Sequence, residues 1–364
     1  MISKDEVVVV SISDVHMGHR YTTTSFIIAN LRKYFLPRLT KEVDLVLIAG
    51  DFWEMLLQTP SEEVSDILYW IVEFLSVCKE NKIIVRVLEG TPYHDVKQSR
   101  LFVTANNMLK TPVDLKHVTT LSIEHIESLG LDVLYVPDRW SDHADDTYKQ
   151  VMELLAREGL EKVDVACMHG AFEYQIPKSN ETHVESRYLD IVRHYIFIGH
   201  VHIFSTYDRI ISNGSFDRTG HGYETPKGFV RAVLRRDAPD SFEFIENEGA
   251  MLYLTLDFSN QSVQDIHAFL YTQTWHNGAR LRLMLSATQA ASGLLKALVK
   301  AYPQWHFKRE IVGAIKTLKP RSEVKIPAGP TICKETILGV LKARLDDLDV
   351  SQMARAEELI KQIS

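Results

Sequence analysis

The chain is 364 residues long, 45% hydrophobic, and carries a formal net charge of −7. That length exceeds one typical domain, so two or three are expected, with at least one large core. Three widely separated cysteines, Cys78, Cys167 and Cys333, exclude a disulfide framework and a zinc finger and fit a reducing cytosol.

No long apolar stretch suggests a membrane span or an export signal, so a cytoplasmic protein is expected. An acidic average disfavours nucleic-acid binding, but the charge is uneven. From residue 261 onward 15 Lys and Arg stand against 9 Asp and Glu, whereas residues 1–260 hold 26 against 39. Carboxylates that hold divalent cations account for the acidic front part, and the basic rear part can meet a polyanion.

In chain order, residues 7–13, 43–49, 83–88, 131–136, 163–168 and 195–198 are short runs of Val, Ile and Leu that read as buried strands. Helical patterns lie between them, notably over 62–81 and over 142–158, the latter opening at Ser141 as N-cap. The alternation indicates an α/β layered domain. After His202 come closely spaced strand candidates at 205–212, 228–235, 242–246 and 251–258, which a second, antiparallel sheet would explain. Helix 263–274, strand 279–286, helix 287–301 and strand 306–312 suffice for a small separate α/β cap. Residues 319–330 read as a linker, and 331–348 and 351–363 have helical periodicity.

Five polar clusters stand where apolar runs stop: Asp14-Val15-His16, Gly50-Asp51, Tyr93-His94-Asp95, His169-Gly170 and Gly199-His200-Val201-His202. Strands laid side by side would pool these carboxylates and imidazoles in one cleft, the ligand supply of a two-metal phosphoester-cleaving site. A D-x-H triplet alone means little, because Asp265-Ile266-His267 also matches inside a helical pattern. His200-Val201-His202 is the most specific of the clusters. His94, oriented by Asp95, is the candidate to stabilise charge on phosphoryl oxygens and to protonate a leaving alkoxide. His19 and His221 lie close to these segments, where solvent exposure is the simpler expectation.

The order D-x-H, G-D, H-D, H-G, G-H-x-H resembles the calcineurin-like metallophosphoesterase superfamily over roughly residues 7–258. The resemblance implies a four-layer β-sandwich flanked by helices, with a binuclear site at the strand ends. Asp14, His16, Asp51 and His202 would hold the first metal, and Asp51, His169 and His200 the second. His94 would be the catalytic histidine. One departure concerns the superfamily's G-N-H-D, here Gly90-Thr91-Pro92-Tyr93-His94-Asp95, which lacks the asparagine ligand to the second metal. Thr91, Glu89 or water are the candidates to replace it.

A narrower segment, Asn213-Gly214-Ser215 through Arg218 and Glu224 to Lys227-Gly228-Phe229, is similar to that of the SbcD-type nuclease branch, partners of SbcC-type coiled-coil ATPases in double-strand-break processing. That branch often has histidine where Glu54 stands here, which leaves the balance of exonuclease and endonuclease activity open. The division implied is a nuclease domain at 1–258, a DNA-capping domain at 259–318, the linker at 319–330, and an ATPase-binding helical hairpin at 331–364. A bacterial or bacteriophage protein fits. Two manganese ions are the expected cofactors, with magnesium as the substitute. Arg280, Arg282, Lys308 and Arg309 on the cap would touch the DNA backbone. The competing expectations are a phosphatase of small or protein phosphates, a non-catalytic scaffold, and a homodimer formed through the helical tail.

Overall fold

The computed structural model describes residues 5–312 apart from 59, 60, 178 and 223; the linker and the helices expected over 331–364 lie outside the described residues. Strands β1 (Glu6–Ile12), β2 (Leu45–Ala49), β3 (Ile84–Leu88) and β4 (Leu115–Val118) run parallel to one another. Two antiparallel strands, β11 (Gly228–Arg235) and β12 (Ser241–Glu246), complete a sheet of order β12-β11-β1-β2-β3-β4. The second sheet has the order β5-β6-β7-β8-β10-β9. Its strands are β5 (Ser122–Ile126), β6 (Leu131–Val136), β7 (Val165–Gly170), β8 (Ile196–His200), β9 (Ser205–Tyr207) and β10 (Ile210–Ser212). Within it β6, β7, β8 and β10 are parallel.

Alternate residues of β1 show how the layers stack. Val8, Val10 and Ile12 join a core with α1 (Thr24–Asn30), α2 (Glu62–Asn81) and α3 (Arg100–Met108), while Val7 and Val9 face Val133, Tyr135, Val165 and Cys167 of the other sheet. On the far side α4 (Ala144–Glu158) and α5 (Glu185–Ile191) cover the second sheet through Val151, Leu154 and Tyr188. The result is the expected four-layer sandwich, with both sheets buried on both faces, which is why the strands are nearly unbroken apolar runs. Helix α2 forms where its pattern places it: Ser61 Oγ accepts from Val64 N, and Ile67, Trp70, Ile71, Phe74 and Cys78 bury one stripe. Helix α4 begins later than expected, because Ser141 Oγ accepts from Gln150 Nε2 instead of capping it.

The strands after His202 do not build a sheet of their own. β9 and β10 extend the second sheet and β11 and β12 the first. β11 is apolar on both faces, with Phe229 and Val233 in the helix-side core and Val230, Ala232 and Leu234 between the sheets, so it pairs with β1 instead of sitting at an edge. β13 (Tyr253–Asp257) joins β14 (Arg280–Leu285) and β15 (His306–Ile311) in a third, parallel sheet. Its core is built by Ile266 and Leu270 of α6 (Val263–Tyr271), Leu294 and Leu298 of α8 (Leu294–Ala301), and the inward Leu281, Leu283 and Leu285 of β14. The helix expected over 287–301 is split into α7 (Ala287–Ala291) and α8 at Ser292 and Gly293. Among the described residues no helix is long and apolar enough to cross a membrane.

Candidate metal centre

Because β1, β2 and β3 are parallel, and β7 and β8 likewise, their carboxyl ends emerge together and their loops meet. Asp14 N donates to Gly50 O (3.1 Å) and His16 N to Asp51 O (3.2 Å), which ties the first loop to the second. Four of the expected ligands leave their strands in left-handed backbone: Asp14 (φ 50°), His16 (55°), Asp51 (50°) and His200 (101°). Such strain persists only where the surroundings over-determine it, and it concentrates at functional sites.

Asp14, His16 and His202 form one group of ligand atoms within 4.8 Å of one another. Asp14 Oδ1 lies 3.6 Å from His202 Nε2 and 4.0 Å from His16 Nε2, and the two Nε2 atoms face each other at 2.9 Å. Glu54 Oε2 stands 2.9 Å from His16 Nδ1, which leaves Nε2 turned toward Asp14 and His202. Burial alone would depress His16, but Glu54, Asp14 and Asp51 outweigh it and hold the imidazole above its usual pKa. Burial pushes His202 down to about 4, leaving a neutral ring that can ligate.

Asp51, His169 and His200 form the second group. His169 Nδ1 donates to Ala49 O (2.7 Å), which frees Nε2 to face Asp51 Oδ2 at 3.2 Å. Burial disfavours the Asp51 carboxylate, yet His169, His16 and the Thr91 N–H hold it well below the usual range. Thr91 N donates to Asp51 Oδ1 (2.6 Å), and the Thr91 hydroxyl sits 3.0 Å from Asp51 Oδ2, 3.3 Å from His169 Nε2 and 3.4 Å from His200 Nδ1. Glu89 is engaged elsewhere, accepting from His117 Nε2 and Lys97 N. A β-carbon on Gly50 would lie 2.3 Å from His169 Nδ1, and one on Gly90 2.2 Å from Asp51 N, so these loops interlock at van der Waals limits.

Whether these residues suit divalent cations can be tested on the donors themselves. Each group offers carboxylate oxygen and imidazole nitrogen, the set that manganese or magnesium accepts. Two Nε2 atoms at 2.9 Å need a shared proton or a cation between them. The donors fit: these buried groups could hold metal.

His94 lies beside the first group, its ring centroid 5.1 Å from that of His16 and its Nδ1 donating to Glu54 O at 2.5 Å. The expected orientation of His94 by Asp95 is corrected here. Asp95 is fully buried and accepts from the N–H groups of Asp51 (3.1 Å), Trp53 (3.0 Å) and Gly90 (2.6 Å), which occupy its carboxylate and make it a tie between loops. Burial, aided by the charge of Asp51, pushes its carboxyl up to about 7.

The 213–229 segment braces His202. Lys227 Nζ donates to His202 O (2.5 Å), and Thr219 Oγ1 lies 3.4 Å from His202 Nδ1. From Thr219 a groove of about 300 Å³ runs onto the small sheet, lined by Tyr21, His221, Tyr253, Arg280, Arg282, His306 and Lys308. Arg280 and Arg282 share the outer face of β14, Lys308 lies beside Arg282 on β15, and the Arg280 guanidinium stacks 4.3 Å over Tyr21. Arg309 does not join them. It is paired with the inward Leu283 and donates to Ala290 O, so the strand's alternation puts it on the opposite face. His221, expected at the surface, lines the groove. Three features escaped the sequence reading: the contact of Glu54 with His16, the bracing of His202 and the contribution of Tyr21. A carboxylate three residues after Asp51 was the only local signal among them.

No protein-family model and no curated protein matches the chain. Among solved structures, TT1561 of Thermus thermophilus aligns over 66% of this chain and 99% of its own, at TM-score 0.38 and 9% identity. Another aligns over 66% of this chain and all of its own length, at TM-score 0.37 and 13% identity. Overlaps this loose say nothing about substrate.

Proposed function

We propose that this chain is a metal-dependent phosphodiesterase that cleaves DNA, a nuclease of the SbcD type acting with an SbcC-type coiled-coil ATPase. The observation that carries the reading is the basic groove, which opens beside His202 and lines up Arg280, Arg282 and Lys308. A small phosphate needs no such extension, whereas successive backbone phosphates do.

Asp14, His16 and His202 would hold one divalent ion, and Asp51, His169 and His200 the other. Manganese, with magnesium as the substitute, supplies Lewis acidity toward phosphoryl oxygens and a water of lowered pKa. The residues do the rest. Glu54 and the Ala49 carbonyl fix the tautomers of His16 and His169. His94, whose Nδ1 proton is committed to Glu54 O, carries its exchangeable proton on Nε2 and delivers it to the departing sugar oxygen. Arg280, Arg282 and Lys308 seat the flanking phosphates.

The test is cleavage of labelled linear, nicked and hairpin DNA with manganese, comparing wild type, His94→Ala and Asp51→Ala. Loss in both variants is expected, and equal activity in all three refutes the site. Hydrolysis of small phosphate esters without any salt-dependent DNA binding would move the substrate away from nucleic acid.

A further inference from the structure

We propose that the Thr91 hydroxyl is an oxygen ligand of the second metal ion. The inference rests on the two-ion reading above and adds to it the donor that completes the second group.

The Thr91 hydroxyl has one proton and several polar neighbours. Asp51 Oδ2, His169 Nε2 and His200 Nδ1 all lie within 3.4 Å of Thr91 Oγ1. That proton goes to the nearest and most negative neighbour, Asp51 Oδ2 at 3.0 Å. The hydroxyl lone pairs are then left facing two imidazole nitrogens, one of which has given its proton side to Ala49 O. Without an ion those lone pairs can accept from imidazole N–H groups; once both rings give up these protons, as ligation requires, the lone pairs of oxygen, nitrogens and carboxylate are satisfied together by a cation.

Donors around an octahedral ion at about 2.1 Å are about 3 Å apart along each edge. Within the second group the separations are 3.0, 3.2, 3.3 and 3.4 Å.

Thr91 is also held in place before any ion binds. Pro92 restricts the backbone of Thr91 to extended conformations, and β-branching stiffens its χ1. Thr91 N is held by Asp51 Oδ1 at 2.6 Å, and Gly90 leaves no room for the loop to approach Asp51 more closely. Thr91 is itself fully buried. The alternative ligand, Glu89, is committed to His117 and Lys97. A neutral alcohol is a modest donor, so the second ion is expected to be the weaker-bound of the two.

The experiment is calorimetric titration of the full chain with manganese chloride, paired with electron paramagnetic resonance of the coupled manganese pair. Wild type is compared with Thr91→Val, which keeps shape and removes the hydroxyl, and Thr91→Ser, which keeps the hydroxyl. Thr91→Val should weaken the second ion about tenfold or more and lose the coupled signal, with the first ion unchanged. Thr91→Ser should stay within about threefold of wild type, well inside the tenfold effect expected for a lost donor. Unchanged second-ion affinity in Thr91→Val overturns the proposal. So does an equal loss in Thr91→Ser, which would assign the effect to packing. Two ions bound without DNA cleavage would sink the nuclease reading alone and leave Thr91 in place; a wild type that binds fewer than two ions would sink both.

Discussion

The two ligand groups share one cleft but are built differently. The second is interlocked: Asp51, Thr91 and His169 are buried, and the loops that carry them touch at Gly50 and Gly90 with no space for a β-carbon, while His169 and His200 also line a cavity of about 110 Å³. The first is open on one side, with Glu54 and His202 at its rim and the basic groove beginning at Thr219. Interlocked loops hold their donors rigidly, so a lost donor cannot be replaced by a shift of the same loops. An open group can exchange its ion and meet a long substrate.

The largest expected effect breaks this contrast at its interlocked half. Asp51→Ala should abolish second-ion binding and cut kcat by about a thousandfold or more, several kcal/mol of transition-state stabilisation. Retention of the first ion in that variant, counted by calorimetry, is what separates two groups from a single shared one. His94→Ala should lower kcat by about a hundredfold to ten-thousandfold with both ions still bound. If its metal content fell instead, His94 would belong to the first group.

Glu54→Ala probes the open half. It should weaken the first ion by about ten- to a hundredfold and leave the second alone, measurable in the same titration. Arg280→Ala lies outside both groups, so kcat at saturating DNA should hold. The slope of log affinity against log salt should become shallower by about one phosphate contact. A slope identical to wild type would remove the groove from the substrate path.

The smallest effect concerns stability. His183, packed against Tyr188 and Phe172, is pushed down to about 4 by burial. A group held neutral in the fold but protonated in the unfolded chain stabilises above its unfolded pKa, near 6.5. That contribution, up to about 3 kcal/mol, fades as pH falls from 6.5 toward 4. Urea midpoints at pH 7 and pH 4.5 should therefore differ less in His183→Gln than in wild type.

The sandwich strands and α2 were legible because both-sided burial writes itself as continuous Val, Ile and Leu, and a half-buried helix as a stripe. β4 (Leu115–Val118) and β5 (Ser122–Ile126) escaped because short edge segments such as Leu-Lys-His-Val carry no such run. The ligand residues could be named because each stands where a strand ends. Their second partners could not, since His16 meets Glu54, and His202 meets Thr219 and Lys227, only through tertiary contact. Asp95 illustrates the limit: adjacency to His94 suggested a pair, whereas the chain's path turns its carboxylate toward three backbone N–H groups.

The left-handed backbone at Asp14, His16, Asp51 and His200 carries a consequence for which metals this fold can ever host there. Among residues other than glycine, that conformation is adopted most readily by Asp, Asn and His, which are also hard or borderline donors. The bend thereby limits the spellings open to mutation at those positions. Re-tuning among manganese, magnesium and iron needs only small changes of side chain, whereas a soft thiolate centre would require the turns themselves to be rebuilt.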